Sequence, residues 1–199
     1  MRIYLVRHGE TEWNKKGIYQ GQEDVPLNEK GKNEAKILST AFKDKKIPII
    51  YSSDLARARE TAEIIAQEVG IQTIIYKKSL REMDFGNWTG RSILEMEEDS
   101  GLFQLWQKDP WNISPPNGET LKDLANRVRR EAEEIFLKHY NQDVLVVTHA
   151  GPIKALIFDL IGSTGNTYWN LDISHNTIAV IEKERRYKIT LYRWPSDLF

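Results

Sequence analysis

The chain has 199 residues, 40% hydrophobic and 29% charged, a size and balance that suit one globular domain with a sizeable core. Its 28 basic and 29 acidic side chains nearly cancel, so no overall field draws it to nucleic acid or to an anionic membrane, and neither is expected as a partner. Cysteine is absent, which excludes disulfides, thiolate catalysis and thiolate metal sites and leaves His, Arg and carboxylates to carry the chemistry.

Residues 1–8 hold an apolar stretch too short and too soon charged for a secretory or transmembrane segment, which points to a cytoplasmic protein. Within it, residues 3–6 read as a buried strand. Residues 29–42 read as a helix that Asn28 caps. Residues 47–51 are of strand length, and a helix is expected over 55–69, where Ala58, Ala62, Ile65, Ala66 and Val69 share a face before Gly70 stops it. A third strand is expected at 71–76. Residues 91–119 read as an insertion over one edge of the domain, loosest where Pro110, Pro115, Pro116 and Asn117-Gly118 fall. Beyond it, a helix over 121–139 carries Leu121, Leu124, Val128 and Ile135 at helical spacing and feeds a strand at 144–147. A further helix starts after Gly151-Pro152, and strands at 177–181 and 187–192 flank a charged turn.

No repeat, low-complexity tract or linker interrupts this order, so residues 1–199 read as a single domain. Strands alternating with amphipathic helices predict an α/β fold, a three-layer α/β/α sandwich with a mostly parallel central sheet. Such sheets bind ligands at the carboxyl ends of their strands. Two segments fall there: Arg7-His8-Gly9 after the first strand and Thr148-His149-Ala150-Gly151 after the strand at 144–147.

The strongest chemical signal is the run from Leu5 to Thr11, with Asn14 three residues on. A phosphoryl dianion needs cations and amide donors, and its covalent transfer needs a neutral nucleophile in line with phosphorus. Arg7 offers a planar fork for phosphate oxygens, Gly9 allows close backbone approach, and His8 is the natural nucleophile. Nearby guanidinium groups disfavour a second positive charge on the imidazole and keep His8 ready for attack. No His-Glu-x-x-His or similar spacing occurs, and histidines beside arginines make a poor cation site, so no metal and no cofactor are expected.

This run resembles the Arg-His-Gly signature of the histidine phosphatase superfamily, also called the phosphoglycerate mutase-like family. Further segments are similar to the family's motifs in the family's order: Gly17 to Gln22, Val25 to Asn28, Ser52 to Ala58, Leu80 to Gly90, Pro116 to Glu119 and Val146 to Gly151. The resemblance implies a phosphoglycerate mutase-like fold in which His8 becomes phosphorylated and Arg7, Arg57 and His149 form a cationic cradle around the transferring group. Asn14 and the Ala150 amide would add hydrogen bonds, and Gln20 and Gly21 would lie at the rim where the family contacts substrate. Glu82 would protonate the leaving oxygen and then deprotonate the attacking water. Burial beside Phe85 and Trp88 and the positive cradle push its carboxyl in opposite directions, and sequence leaves the balance open.

The function implied is hydrolysis of a small phosphorylated metabolite by a metal-independent phosphatase. The compact size, the Phe85-Gly86-Asn87-Trp88 loop and the His149-Ala150-Gly151 turn are similar to α-ribazole phosphatases and to broad-specificity phosphatases. One alternative is a phosphoglycerate mutase. Family mutases usually follow the acid with Arg-His-Tyr, whereas Met83-Asp84-Phe85 follows Glu82 here, and the chain is short for their substrate-covering segment. The other is a catalytically silent phosphate-binding module, which would need neither His8 nor Glu82.

Several residues are expected to do less. Arg59 reads as a solvated helix residue, since the spacing from Leu55 favours Arg57 as the ligand. His139 reads as a surface or helix-end residue, His175 as a structural loop residue, and Glu95, Glu97, Glu98 and Asp99 as a solvated helix face. Phe103, Trp106 and Trp111 are expected to anchor the insertion; the competing reading stacks one of these rings on a flat part of the substrate. A homodimer would form through the strand edge at 187–192 or through the tryptophan-rich insertion, and the sequence does not choose between monomer and dimer.

Overall fold

Six strands form the central sheet: β1 (Arg2–Arg7), β2 (Ile49–Ser52), β3 (Thr73–Tyr76), β4 (Val144–Thr148), β5 (Thr177–Lys183) and β6 (Tyr187–Arg193). Their order is β3-β2-β4-β1-β5-β6. The first four run parallel, while β5 and β6 are antiparallel additions at one side. The computed structural model describes residues 1–97, 101–163 and 165–194.

Alternation along the inner strands sorts side chains to two faces. Ile3, Leu5, Val144, Val146, Ala179 and Ile181 face one layer, whereas Tyr4, Val6, Leu145, Val147, Ile178 and Val180 face the other. The second face is covered by α2 (Glu29–Ser39) and α3 (Ala56–Val69), the latter through Ala58, Ala62, Ile65 and Ala66. The first is covered by α6 (Leu121–Lys138), through Leu121, Leu124, Val128 and Ile135, and by α7 (Ala150–Leu160). Because helices cover both faces, β4 is buried along its whole length and reads as an unbroken apolar run. The α/β/α sandwich expected from sequence is therefore the observed fold.

Element boundaries shift for identifiable reasons. Residues 40–42 close the helix after α2 as a 3₁₀ turn. Strand β2 starts after Pro48, which has no N–H to pair. Strand β3 starts at Thr73, two residues later than expected, because the Ile71 amide is spent on the Ala66 carbonyl at the end of α3. A short helix, α1 (Glu12–Lys15), was not expected; Thr11 and Asn14 close it as a reciprocal capping box.

The insertion holds two more helices, α4 (Ile93–Glu97) and α5 (Gly101–Lys108). Phe103 and Trp106 are almost fully buried, and Trp106 meets the rings of Tyr19, Phe85, Trp88, Phe103 and Trp169. Trp111 packs partly buried against the same core. These rings anchor the insertion, and a side chain as enclosed as Trp106 has no free face for a substrate. Glu95 and Glu97 are solvent-exposed as expected, whereas Glu98 and Asp99 lie outside the described residues. No helix among the described residues is long and apolar enough to cross a membrane.

Candidate active site

The parallel register of β1 with β4 sets Arg7 opposite Thr148, so the next residue on each strand, His8 and His149, emerges side by side. Their ring centroids lie 5.0 Å apart. The His8 amide donates to the Thr148 carbonyl at 2.9 Å. Its Nδ1 lies 2.7 Å from the Gly9 carbonyl oxygen. A carbonyl only accepts, so Nδ1 carries the proton and Nε2 holds the lone pair. Burial, followed by the charges of Arg57 and Arg7, holds the His8 imidazolium well below the usual histidine range, which leaves the ring neutral.

Arg57, from the first turn of α3, is completely buried. Its Nη1 donates to the Glu23 carbonyl at 2.8 Å, its Nη2 to the Gly21 carbonyl at 2.7 Å and its Nε to His149 Nδ1 at 3.2 Å. Burial pushes the guanidinium down to about 10, so it stays charged at neutral pH. Three of its five N–H groups are thus fixed, leaving two for a ligand. Arg7 donates from Nη1 to the Ile173 carbonyl at 2.9 Å, while its buried Nε has no partner among the described residues. An orphaned buried donor of this kind is a place where an anionic oxygen belongs.

His149 departs from its expected part as a third cation. Its Nδ1 accepts from Arg57, so Nε2 bears the proton and donates to Ser53 Oγ at 2.9 Å. Burial and the neighbouring Arg57 drive its pKa well below the ordinary value, and the ring is neutral. In this state both nitrogens are engaged, and the charge of the cradle resides in the two arginines.

Glu82 closes the cleft from the loop after β3. Its Oε1 accepts from the Met83 amide at 2.8 Å and its Oε2 from the Gly151 amide at 3.3 Å. Arg127 of α6 clamps this loop from behind. It donates to the carbonyls of Ser79 and Glu82, both at 2.8 Å, and forks onto Glu119, which in turn accepts the Asp84 amide.

Together Arg7, His8, Asn14, Gln20, Arg57 and Glu82 line one cleft of about 280 Å³, beside Ile18, Tyr19, Phe85 and Ile93. Asn14 spends its carbonyl oxygen on Thr11, which leaves its amide nitrogen without a partner among the described residues. Gln20 is buried and accepts from Thr11 Oγ1. Gly21 lies against Phe85 at the edge of the cleft, and its carbonyl accepts from Arg57. Ala150 opens α7, where the first amides have no intrahelical acceptor, and the next one, of Gly151, is taken by Glu82.

Two contributors lay outside the sequence expectations. His175, read as structural, sits just before β5 with Nδ1 2.7 Å from the His8 carbonyl oxygen, and its ring centroid is 5.8 Å from that of His8. Arg127 carried no signal beyond its helical position. His139 does end α6, but it is buried rather than on the surface, with Nε2 2.9 Å from the Tyr51 hydroxyl. Arg59 is partly exposed beside Glu63 and lies outside the cleft lining.

At the ends of its central strands this three-layer sandwich holds a neutral histidine, a buried and a partly buried arginine, and a carboxylate. Residues 3–195 match the model of the histidine phosphatase superfamily (branch 1), and the chain belongs to that family. It is 35% identical over 192 residues to phosphoserine phosphatase 1 of Hydrogenobacter thermophilus, covering 96% of this chain and 90% of that protein. To the phosphoglycerate mutase of Schizosaccharomyces pombe it is 34% identical over 196 residues, covering 93% and 92%. The solved α-ribazole phosphatase of Shigella flexneri superposes with a TM-score of 0.84 at 30% identity, covering 98% of this chain and 96% of the other.

Proposed function

We propose that the protein is a metal-independent phosphomonoesterase that passes the phosphoryl group of a small metabolite through His8 to water. The observation that carries this reading is the tautomer of His8: the Nδ1–H bond to Gly9 aims a free Nε2 lone pair into a cleft lined by Arg7, Arg57 and Glu82. In the first step, Nε2 attacks phosphorus as the bond to the leaving oxygen breaks, and the Glu82 carboxylic acid gives that oxygen its proton. In the second, the Glu82 carboxylate takes a proton from water, the water oxygen bonds to phosphorus, and the phosphorus–nitrogen bond returns its electron pair to Nε2. Arg7 and Arg57 meet the charge on the non-bridging oxygens, and being fixed beforehand they add little reorganisation. His149 stays neutral and holds Arg57 in place by accepting from its Nε. Two guanidinium groups at the reacting centre would repel a divalent ion, which supports the metal-free route.

A phosphoglycerate mutase is the second reading, because a relative of that name matches nearly the whole chain. The residues after Glu82 favour hydrolysis: Met83, Asp84 and Phe85 bring no cation to hold an acidic intermediate in place. Hydrolysis of p-nitrophenyl phosphate with a chelator present tests the proposal, with His8→Asn as control. Chelator-resistant turnover lost in the variant is expected. Chelator-sensitive turnover, or mutase activity on 3-phosphoglycerate exceeding its hydrolysis, overturns it.

A further inference from the structure

Beside the phosphate cradle, the cleft has a second half of different character. Ile18, Tyr19, Phe85 and Ile93 line it, and apart from the neutral His8 the basic side chains among the described lining residues are Arg7 and Arg57. The residues outside the described ones hold no lysine, arginine or histidine to add. Tyr19 and Phe85 meet edge to face with centroids 4.7 Å apart. Both lean on the buried Trp106, at 6.3 and 6.1 Å, so the pair is braced from behind. The Tyr19 hydroxyl has no hydrogen-bond partner among the described residues and remains a donor for a ligand.

Resting on the phosphatase reading above, we propose that this half is a leaving-group subsite for a single uncharged aromatic ring, and that carboxylated phosphoesters are discriminated against. A flat ring gains edge-to-face and offset contacts from Tyr19 and Phe85. A carboxylate there would exchange water for apolar surface and would lie near the Glu82 carboxylate, while the two arginines that line the cleft are committed to the phosphoryl group. The volume supports a small occupant: ligand pockets usually span about 300–1,000 Å³, and this cleft of about 280 Å³ has room for a phosphoryl group and one ring. The ring that meets substrate is thus neither Trp106 nor Trp111.

Benzyl phosphate, glycerol 3-phosphate and phosphoserine test this together, because all three release an alkyl oxygen and differ in what that oxygen carries. The wild-type enzyme is expected to show kcat/KM on benzyl phosphate at least about tenfold above phosphoserine. Phe85→Leu and Tyr19→Leu are each expected to lower benzyl phosphate turnover by about tenfold and glycerol 3-phosphate turnover by less than about threefold, with melting curves confirming the fold. A wild-type preference for phosphoserine, or equal losses on both neutral esters, overturns the subsite. Failure of the wild type to turn over any of the three or p-nitrophenyl phosphate overturns the phosphatase reading itself, a different result from turnover with the wrong preference.

Discussion

Gly151 lies directly against Glu82: a β-carbon on Gly151 would come within 2.1 Å of the Glu82 Oε1. Glu82, the proposed proton donor, is therefore held by a missing side chain as well as by the Gly151 amide. Gly151→Ala should push the carboxyl aside and lower kcat/KM by about a hundredfold, within the range that a positioned acid contributes. The same clash costs some stability, so the loss of rate is compared at a temperature where a melt shows the variant folded. Steady-state kinetics beside a thermal melt check this; full activity in the variant would mean that Glu82 is not the donor.

His175 holds the backbone of His8, the proposed nucleophile, through its Nδ1–H bond to the His8 carbonyl. His175→Ala should lower kcat about tenfold by loosening that carbonyl. His175→Asn should recover most of the loss, since its amide can donate to the same oxygen. Equal rates for both variants would show that the bond does not matter.

The buried histidines also set a pH dependence of stability. His8 and His149 titrate well below 6.5, and His175 is lowered to about 4, first by burial and then by Arg7. Above pH 6.5, folded and unfolded chains are both neutral at these sites. As pH falls below 6.5 the unfolded chain takes up protons that the folded chain refuses, and stability declines until the folded groups titrate, for His175 near pH 4. Melting temperature should fall from pH 7 to pH 5, with a smaller fall in His175→Asn. An unchanged slope in that variant would contradict the assignment for His175.

Arg127 and Glu119 act as one brace behind the acid loop. Removing either partner should leave the other half-buried without its countercharge, costing about 1–3 kcal/mol and lowering kcat, with the double variant less damaged than the sum. A double-mutant cycle on urea denaturation and turnover measures this. Additive losses would mean that the two residues do not work together.

Trp106 anchors the insertion and should behave as a core residue. Trp106→Ala is expected to cost about 3–5 kcal/mol in urea denaturation. A loss under about 1 kcal/mol would contradict its burial at the centre of the aromatic cluster.

The strands and long helices were legible in the sequence because their apolar periods are local, and so were the site segments, because each sits next to a strand end. Capping and spent amides moved the boundaries: Ile71 looks like a strand residue but serves the end of α3. The short helix α5 carries Phe103 and Trp106 three residues apart, a helical spacing masked by the flanking prolines and Asn117-Gly118. His175 was not legible. It is 167 residues from His8 and reaches it because β5 pairs antiparallel to β1, a pairing that no local pattern announces. The same holds for Arg127, whose partners Ser79 and Glu82 are joined to it by tertiary structure alone. The neutrality of His149 depends on burial between Arg57 and Ser53, which a motif does not convey.

Rapid acid-free quenching during turnover of a phosphorus-labelled ester, followed by peptide mass spectrometry, addresses the role of His8 most directly. A base-stable, acid-labile phosphoryl group on His8 that accumulates and decays with turnover, and is absent from His8→Asn, is the predicted result. Label on another residue, or undiminished turnover in His8→Asn, would contradict the account.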